Sequence, residues 1–260
     1  MRATTKLTRT LGSGQQALTV ECLPPRGAAP EDTKRLASYF PPTVDAVVVA
    51  DNHEEVRSSA LACAAILAGE KTETLLSMVT RDRNRIALES DVLGAAALGV
   101  HGVLCLSGLH QSLGASRKAA SAYDLDACQL ALSLARMADE GLGFSGDKLD
   151  PAPNLFVAAT AHPYLNPIEL SLLGVRKKMA AGAQALFTDA VTDLAAFNTW
   201  MTAVCAAGYD KQVAIIASVR PSQLNLVAQL KRIEGVRGIH ILSGGQESKI
   251  GYFIQQGGLA

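Results

Sequence analysis

Leu18-Thr19-Val20-Glu21-Cys22-Leu23-Pro24-Pro25 is the stretch on which the reading of this chain turns. Val20 and Leu23 are apolar and Thr19 tolerates extended backbone, so Leu18 to Leu23 reads as a short buried strand. Pro24 and Pro25 end it, because neither offers a backbone donor. Glu21 then stands near the C-terminal end of an apolar strand, where a carboxyl group is costly unless it is paired or stays protonated. A rim glutamate meets that demand structurally. A barrel strand that delivers the group to its C-terminal mouth gives it chemistry.

Further along, apolar runs recur at Asp45 to Ala50, Glu73 to Val79, Gly102 to Leu106, Leu155 to Thr160, Ala185 to Thr188 and Val213 to Val219. A weaker one spans about 238–242. Between them lie segments of helical spacing. Pro30-Glu31-Asp32 opens one, with Leu36 and Tyr39 on one side. A helix over 54–68 would align Val56, Ala60, Ala64 and Leu67. The next carries Ile86, Leu93, Ala96 and Ala97 and stops at Gly99. Others are expected at 124–139, at 167–181, from Asp193, around Leu226 to Leu230 and after Gly244-Gly245. Strands that alternate with helices imply a parallel sheet, and eight such units imply a closed (β/α)8 TIM barrel. The strands read as unbroken apolar runs, as burial on both faces requires. An open doubly wound sheet is the rival, but no G-x-G-x-x-G follows the first strand. The expected organisation is a single domain, a barrel over 18–260 preceded by a polar, turn-rich N-terminal extension over 1–17.

The 260 residues are 48% hydrophobic, and Lys+Arg balance Asp+Glu at 24 each. No basic field points to nucleic acid. No apolar run has the length of a membrane span, and Met1 to Leu11 lacks the apolar core of a signal peptide, so a cytoplasmic protein is expected. Cys22, Cys63, Cys105, Cys128 and Cys205 are scattered and form no C-x-x-C pair, which argues against disulfides and against a metal site. They read as small buried apolar residues, with Cys22 conceivable as a reactive thiol beside Glu21.

Polar residues collect at the expected C-terminal strand ends: Glu21, Asp51-Asn52-His53, Thr80-Arg81-Asp82, Ser107-Gly108, His162 and Asp189. In a barrel that end is the active face. The loop over 109–123 has a length that is usually functional or mobile, and 141–154 is a second loop rich in Gly, Pro and Asp. Lys177-Lys178, late in a helix, is ordinarily a solvated end favoured by the dipole; a functional lysine there needs an anion to reach.

Thr19-Val20-Glu21-Cys22-Leu23-Pro24-Pro25-Arg26-Gly27 resembles the "T-x-E-x-x-P-P-[KR]-G" opening of methylenetetrahydrofolate reductases. Leu11-Gly12-Ser13-Gly14 is similar to the leader of the short bacterial forms, and Asp51-Asn52 to the turn after strand two. Thr80-Arg81-Asp82-Arg83-Asn84-Arg85 resembles "C-R-D-R-N", Leu98-Gly99-Val100 resembles "L-G-I", and Tyr123-Asp124-Leu125-Asp126 resembles "Y-D-L-D". Arg176-Lys177-Lys178-Met179-Ala180-Ala181-Gly182-Ala183 resembles "L-x-x-K-x-x-A-G-A". The motifs cover roughly 10–232 in one order.

The resemblance implies a barrel with FAD across its C-terminal face that reduces 5,10-methylenetetrahydrofolate to 5-methyltetrahydrofolate. It implies that Glu21 is the general acid that opens the folate's imidazolidine ring, with hydride arriving from reduced flavin. A carboxyl group kept protonated near neutral pH suits that task. Flavin contacts would fall on Asn52, Ser77, Ser107, Gly108, Leu109, Ala122, Asp124, His162, Lys177 and Lys178, the lysines acting as point charges toward the pyrophosphate. The folate would meet Glu21, Leu109 and Asp189. NAD(P)H or a protein would donate electrons, and a homo-oligomer or a subunit of a complex is expected. Ala190-Val191-Thr192 and Ala217-Ser218-Val219-Arg220-Pro221 depart from the pattern, and so do two positions of the site. The family's "G-D" after strand four is Gly108-Leu109, which removes a carboxylate from the flavin–pterin interface. Its "T-Q" after strand six is Thr188-Asp189. These departures leave two alternatives: a flavin- or pterin-binding subunit without this activity, or a pterin-dependent methyltransferase barrel.

Overall fold

Alternation along the strands sorts the apolar side chains into two clusters, one inside a closed sheet and one between that sheet and its helices. The computed structural model describes residues 3–52, 55–114 and 116–259. In chain order the elements are α1 (Lys6–Gly12), β1 (Ala17–Cys22), α2 (Pro30–Ala37), β2 (Ala46–Val49), α3 (Ala60–Gly69) and β3 (Thr74–Val79). They continue with α4 (Arg85–Ala97), β4 (Gly102–Leu106), α5 (Ala127–Glu140), β5 (Phe156–Ala161), α6 (Ile168–Ala180) and β6 (Ala185–Ala190). The last are α7 (Leu194–Ala206), β7 (Ala214–Val219), α8 (Val227–Leu230), β8 (Val236–Ile241) and α9 (Ile250–Gln256). The strands pair in sequence order, all parallel, and β8 closes on β1. This is the (β/α)8 barrel that the alternation implies.

Leu18, Val20 and Cys22 of β1 face the helices, so Ala17, Thr19 and Glu21 face the barrel axis. Phe156, Leu75 and Ile216 fill the N-terminal half of the interior. Room for them comes from inward positions without side chains: a Cβ at Gly102 would stand 2.8 Å from Leu75 Cγ, and one at Gly238 2.6 Å from the Ala17 carbonyl oxygen.

The segment read as an N-terminal extension proves to be part of the core. Leu7 and Leu11 of α1 are buried with Ala17, Ala46, Leu75 and Phe156, so α1 closes the N-terminal mouth. Glu73 accepts from Lys6 N–H at 2.6 Å and from Leu7 N–H at 3.3 Å, which satisfies free donors at the start of α1. Arg237 Nη2 donates to the Leu11 carbonyl at 2.6 Å at its other end.

Two helical readings shift. α3 begins at Ala60 and not at 54, and Val56, assigned to its apolar face, is exposed. His53 and Glu54 lie outside the described residues. Ile86 is likewise exposed, because α4 buries Leu88, Val92 and Ala95 instead. No helix among the described residues is long and apolar enough to cross a membrane.

Candidate active site

The C-terminal half of the barrel is not filled. A cavity of about 690 Å³ opens there, floored by Val48, Leu104, Phe187 and His240 and walled by the strand ends and their loops. Apolar walls with a few convergent polar groups are the usual make-up of a small-molecule site.

Glu21 stands at its edge, half-buried, on the last inward position of β1. Its Oε2 accepts from Gly244 N–H at 3.1 Å, and Ser243 Oγ lies 3.4 Å away. Burial pushes its pKa above the ordinary carboxyl value, and the neighbouring Glu247 pushes the same way. Cys22, the next residue, points out of the barrel and is fully buried. Its neighbour Cys63 and its burial hold the thiol well above its ordinary pKa, so the thiolate needed of a nucleophile is suppressed.

Behind Glu21 the loops are tied together by two arginines. Asp51 accepts from Val79 N–H at 3.1 Å and from Arg83 Nη1 at 2.6 Å. Arg81 is buried although it carries a charge. Its guanidinium donates to the Asn52 carbonyl at 2.9 Å and the Leu109 carbonyl at 3.0 Å, while Asp82 neutralises it at 2.6 Å. One side chain thus fixes the loops after β2, β3 and β4 relative to each other.

Gly108 follows β4 with φ +78°, and a Cβ there would stand 2.5 Å from Val79 Cγ1. Only glycine lets the loop turn this closely over β3. Ser107 Oγ accepts from Ala127 N–H at 3.0 Å, which brings the N-terminus of α5 to the cavity wall. Lys178 of α6 lies beside that terminus and donates to the Thr160 carbonyl at 2.7 Å. Burial lowers its pKa, and among the described residues no carboxylate lies within ion-pair distance of its ammonium. The ammonium and the helix N-terminus share this wall with the Asp126 carboxylate, which caps the helix by accepting from Gln129 N–H at 2.7 Å. Facing it, His162 Nδ1 contacts Asp189 Oδ2 at 3.0 Å. Ser171 Oγ donates to the His162 carbonyl at 2.6 Å and accepts from Trp200 Nε1 at 2.8 Å, which fixes the β5 loop to the helices.

The structure therefore brings Glu21, Asn52, Ser77, Ser107, Gly108, Leu109, His162, Lys178 and Asp189 to one cavity. Asp189 is the penultimate residue of β6 and not part of the following loop. Three residues named with them do not line it. Lys177 is exposed on α6, one residue and therefore about 100° around the helix from Lys178. Asp124 is clamped by Arg85, which donates at 2.8 and 2.9 Å and holds the carboxyl down to about 2. Ala122 is exposed and donates to the Arg81 carbonyl at 2.7 Å. Between the last two, Tyr123 takes φ +41°.

His240 was not among the residues singled out, because it falls inside a weak apolar run with no polar neighbour. It sits on the barrel axis, fully buried, with Nδ1 3.0 Å from Thr19 Oγ1 and its ring edge-on to Phe187 at 5.2 Å. Burial pushes its pKa down from 6.5 to about 4, so it is neutral at pH 7. A depressed histidine contributes stability that is present above about pH 6.5 and is lost as pH falls toward 4. Urea unfolding should show the native state about 2 kcal/mol weaker at pH 5 than at pH 7 through this group. His240→Gln should remove that part of the pH dependence, and an unchanged dependence would reject the assignment.

Residues 6–243 match the sequence profile of the methylenetetrahydrofolate reductases. The chain belongs to the methylenetetrahydrofolate reductase family. No curated protein matches it. Among solved structures, a Clostridium thermocellum protein that binds two copies of 5-methyl-5,6,7,8-tetrahydrofolic acid superposes with TM-score 0.63 at 13% identity. The superposition covers 98% of this chain and 100% of that one. A 2,3-dimethylmalate lyase follows at TM-score 0.60 and 13% identity, over 97% of this chain and 86% of its own. Mycobacterium tuberculosis tryptophan synthase reaches 0.58 at 12%, over 98% and 96%. At these identities the neighbours establish the barrel alone. The matched span of 6–243 includes Glu21, Arg81 and Lys178, which line the cavity that the fold leaves open.

Proposed function

We propose that the chain is a flavin-dependent reductase of 5,10-methylenetetrahydrofolate in cytoplasmic one-carbon metabolism, with Glu21 as general acid. The observation that carries this reading is the Glu21 carboxyl group, aimed into a large apolar cavity and held toward its neutral form at the mouth of a family barrel. The cavity walls suit FAD: the Lys178 ammonium suits the pyrophosphate, and Ser77, Ser107, Gly108 and His162 line the same space. When bound, the flavin would supply hydride to the folate. The Glu21 carboxyl would donate its proton to the ring nitrogen that leaves the bridging carbon, and the C–N bonding pair would stay with that nitrogen. His162 would orient Asp189, an acceptor for the amide and amino groups of a pterin ring. Electrons would come from NAD(P)H or from a partner protein.

A second reading, a pterin-binding barrel without flavin or one that transfers methyl groups, is favoured by Leu109. This side chain is apolar and about half exposed at a cavity position where the family pattern has a carboxylate. Visible absorption during titration of the purified protein with FAD separates the two. Bands of bound flavin that bleach with a reductant and recover with methylenetetrahydrofolate support the reductase. A protein that leaves FAD free in solution overturns it.

The same position yields a prediction. Leu109→Asp should strengthen folate binding by about tenfold, the worth of one added hydrogen bond to a charged acceptor. Calorimetric titration measures it, and equal or weaker affinity would show that Asp189 already supplies the acceptor.

A further inference from the structure

Glu21 is not the only carboxyl group at the mouth. Glu247 sits behind it in the 3-10 turn Glu247–Lys249, buried, with no opening to the cavity lining. Its Oε1 accepts from Leu23 N–H at 2.9 Å and faces Ser243 Oγ at 2.9 Å. Ser243 Oγ also lies 3.4 Å from Glu21 Oε2, and Gly245 N–H donates to it at 3.3 Å. The serine is fully buried. A hydroxyl group has one hydrogen to give. Geometry directs it to Glu247, the shorter of the two contacts.

We propose that Glu247, held against Glu21 through Ser243, is a positioning residue that keeps Glu21 protonated. The proposal rests on the reading of Glu21 as the acid. Two effects act together. Glu247 competes at the shorter distance, 2.9 against 3.4 Å, for the one hydroxyl hydrogen of Ser243 that would otherwise solvate a Glu21 carboxylate. The Glu247 charge also repels a second negative charge across the shared serine. Several of the other groups around Glu21 are already paired. On the β2 side, Asp51 is paired with Arg83. On the β8 side, His240 is hydrogen-bonded to Thr19. In the adjoining loop Arg57 is paired with Glu55, and Arg220, after β7, is exposed beside the same rim. Across the cavity stand Lys178 and the His162–Asp189 pair. Glu247 is the charge placed directly behind the acid.

Glu247→Gln tests this, because the amide oxygen can still accept from Leu23 and Ser243 while the charge is gone. Infrared titration of the Glu21 carboxyl band, assigned by its disappearance in Glu21→Gln, reads the protonation without any folate turnover. The Glu21 pKa should fall by about one unit in Glu247→Gln. If folate reduction is measurable, the alkaline limb of its pH–rate profile should move down by the same amount. A Glu21 pKa that stays or rises in folded Glu247→Gln overturns the proposal. If that variant does not fold, the wild-type titration decides alone. Glu21 must remain protonated above the range of an ordinary carboxyl group, and a Glu21 band that titrates within that range overturns the proposal. Failure of the reductase reading would appear separately, as absent turnover with the band shift intact.

Discussion

Glu21→Gln should lower folate reduction by about 10²- to 10⁴-fold while FAD still binds. The amide is nearly isosteric, and its oxygen can keep the Gly244 N–H contact. It has no proton to give to the departing ring nitrogen. The pH dependence carries the same assignment. Because burial raises the Glu21 pKa, the acid form persists above the range of an ordinary glutamate, and activity should decline as pH rises through the folded-state value. Wild-type stability should decline with rising pH as well. A carboxyl group raised in the folded state costs the fold stability as pH rises from the unfolded-state value through the folded one, so Glu21→Gln should gain stability over wild type as pH increases. Steady-state kinetics and urea unfolding across pH measure both. Retention of wild-type turnover in Glu21→Gln would remove the acid from the mechanism. This combination of lost activity and gained stability is what a strained functional group produces and a structural rim glutamate does not.

Leu7→Ala should destabilise the protein by about 2–5 kcal/mol, and Leu11→Ala by a similar amount. Both side chains are buried under the barrel with Ala17, Ala46, Leu75 and Phe156, where the strands cannot move inward to fill a lost side chain. The two are neighbours on α1, so the double variant should depart from the sum of the single effects. Flavin and folate affinity of the folded fraction should change little, since α1 closes the opposite end from the cavity. Denaturant midpoints measure the loss. A change below about 1 kcal/mol for Leu7→Ala would mean that α1 is docked loosely and not packed as a plug.

The barrel and its active end were legible because both rest on local patterns. Apolar runs such as Asp45 to Ala50 and Val213 to Val219, separated by helical spacing, specify β/α units whatever lies elsewhere in the chain. The polar residues that end those runs were then assigned to one face by topology alone, and nine of the singled-out residues do line the cavity there. The misreadings are those of phase and length. Val56 and Ile86 are apolar and fall at helical spacing, yet each lies on a face that meets solvent. Lys177 and Lys178 are adjacent and chemically equal in sequence, and only the rotation of α6 selects Lys178 for the cavity.

By itself, the sequence determined an alternating barrel, the position of Glu21 at the end of its first strand, and a motif series that names the family. Tertiary structure alone decided what surrounds that glutamate. Ser243 stands 222 residues away in the chain and within 3.4 Å in space. His240 becomes a neutral core residue because β8 closes on β1. The polar residues of α1 gave no sign that its two leucines would seal the barrel. Periodicity is written by neighbours along the chain, whereas desolvation, charge pairing and cavity shape depend on groups that only folding brings together.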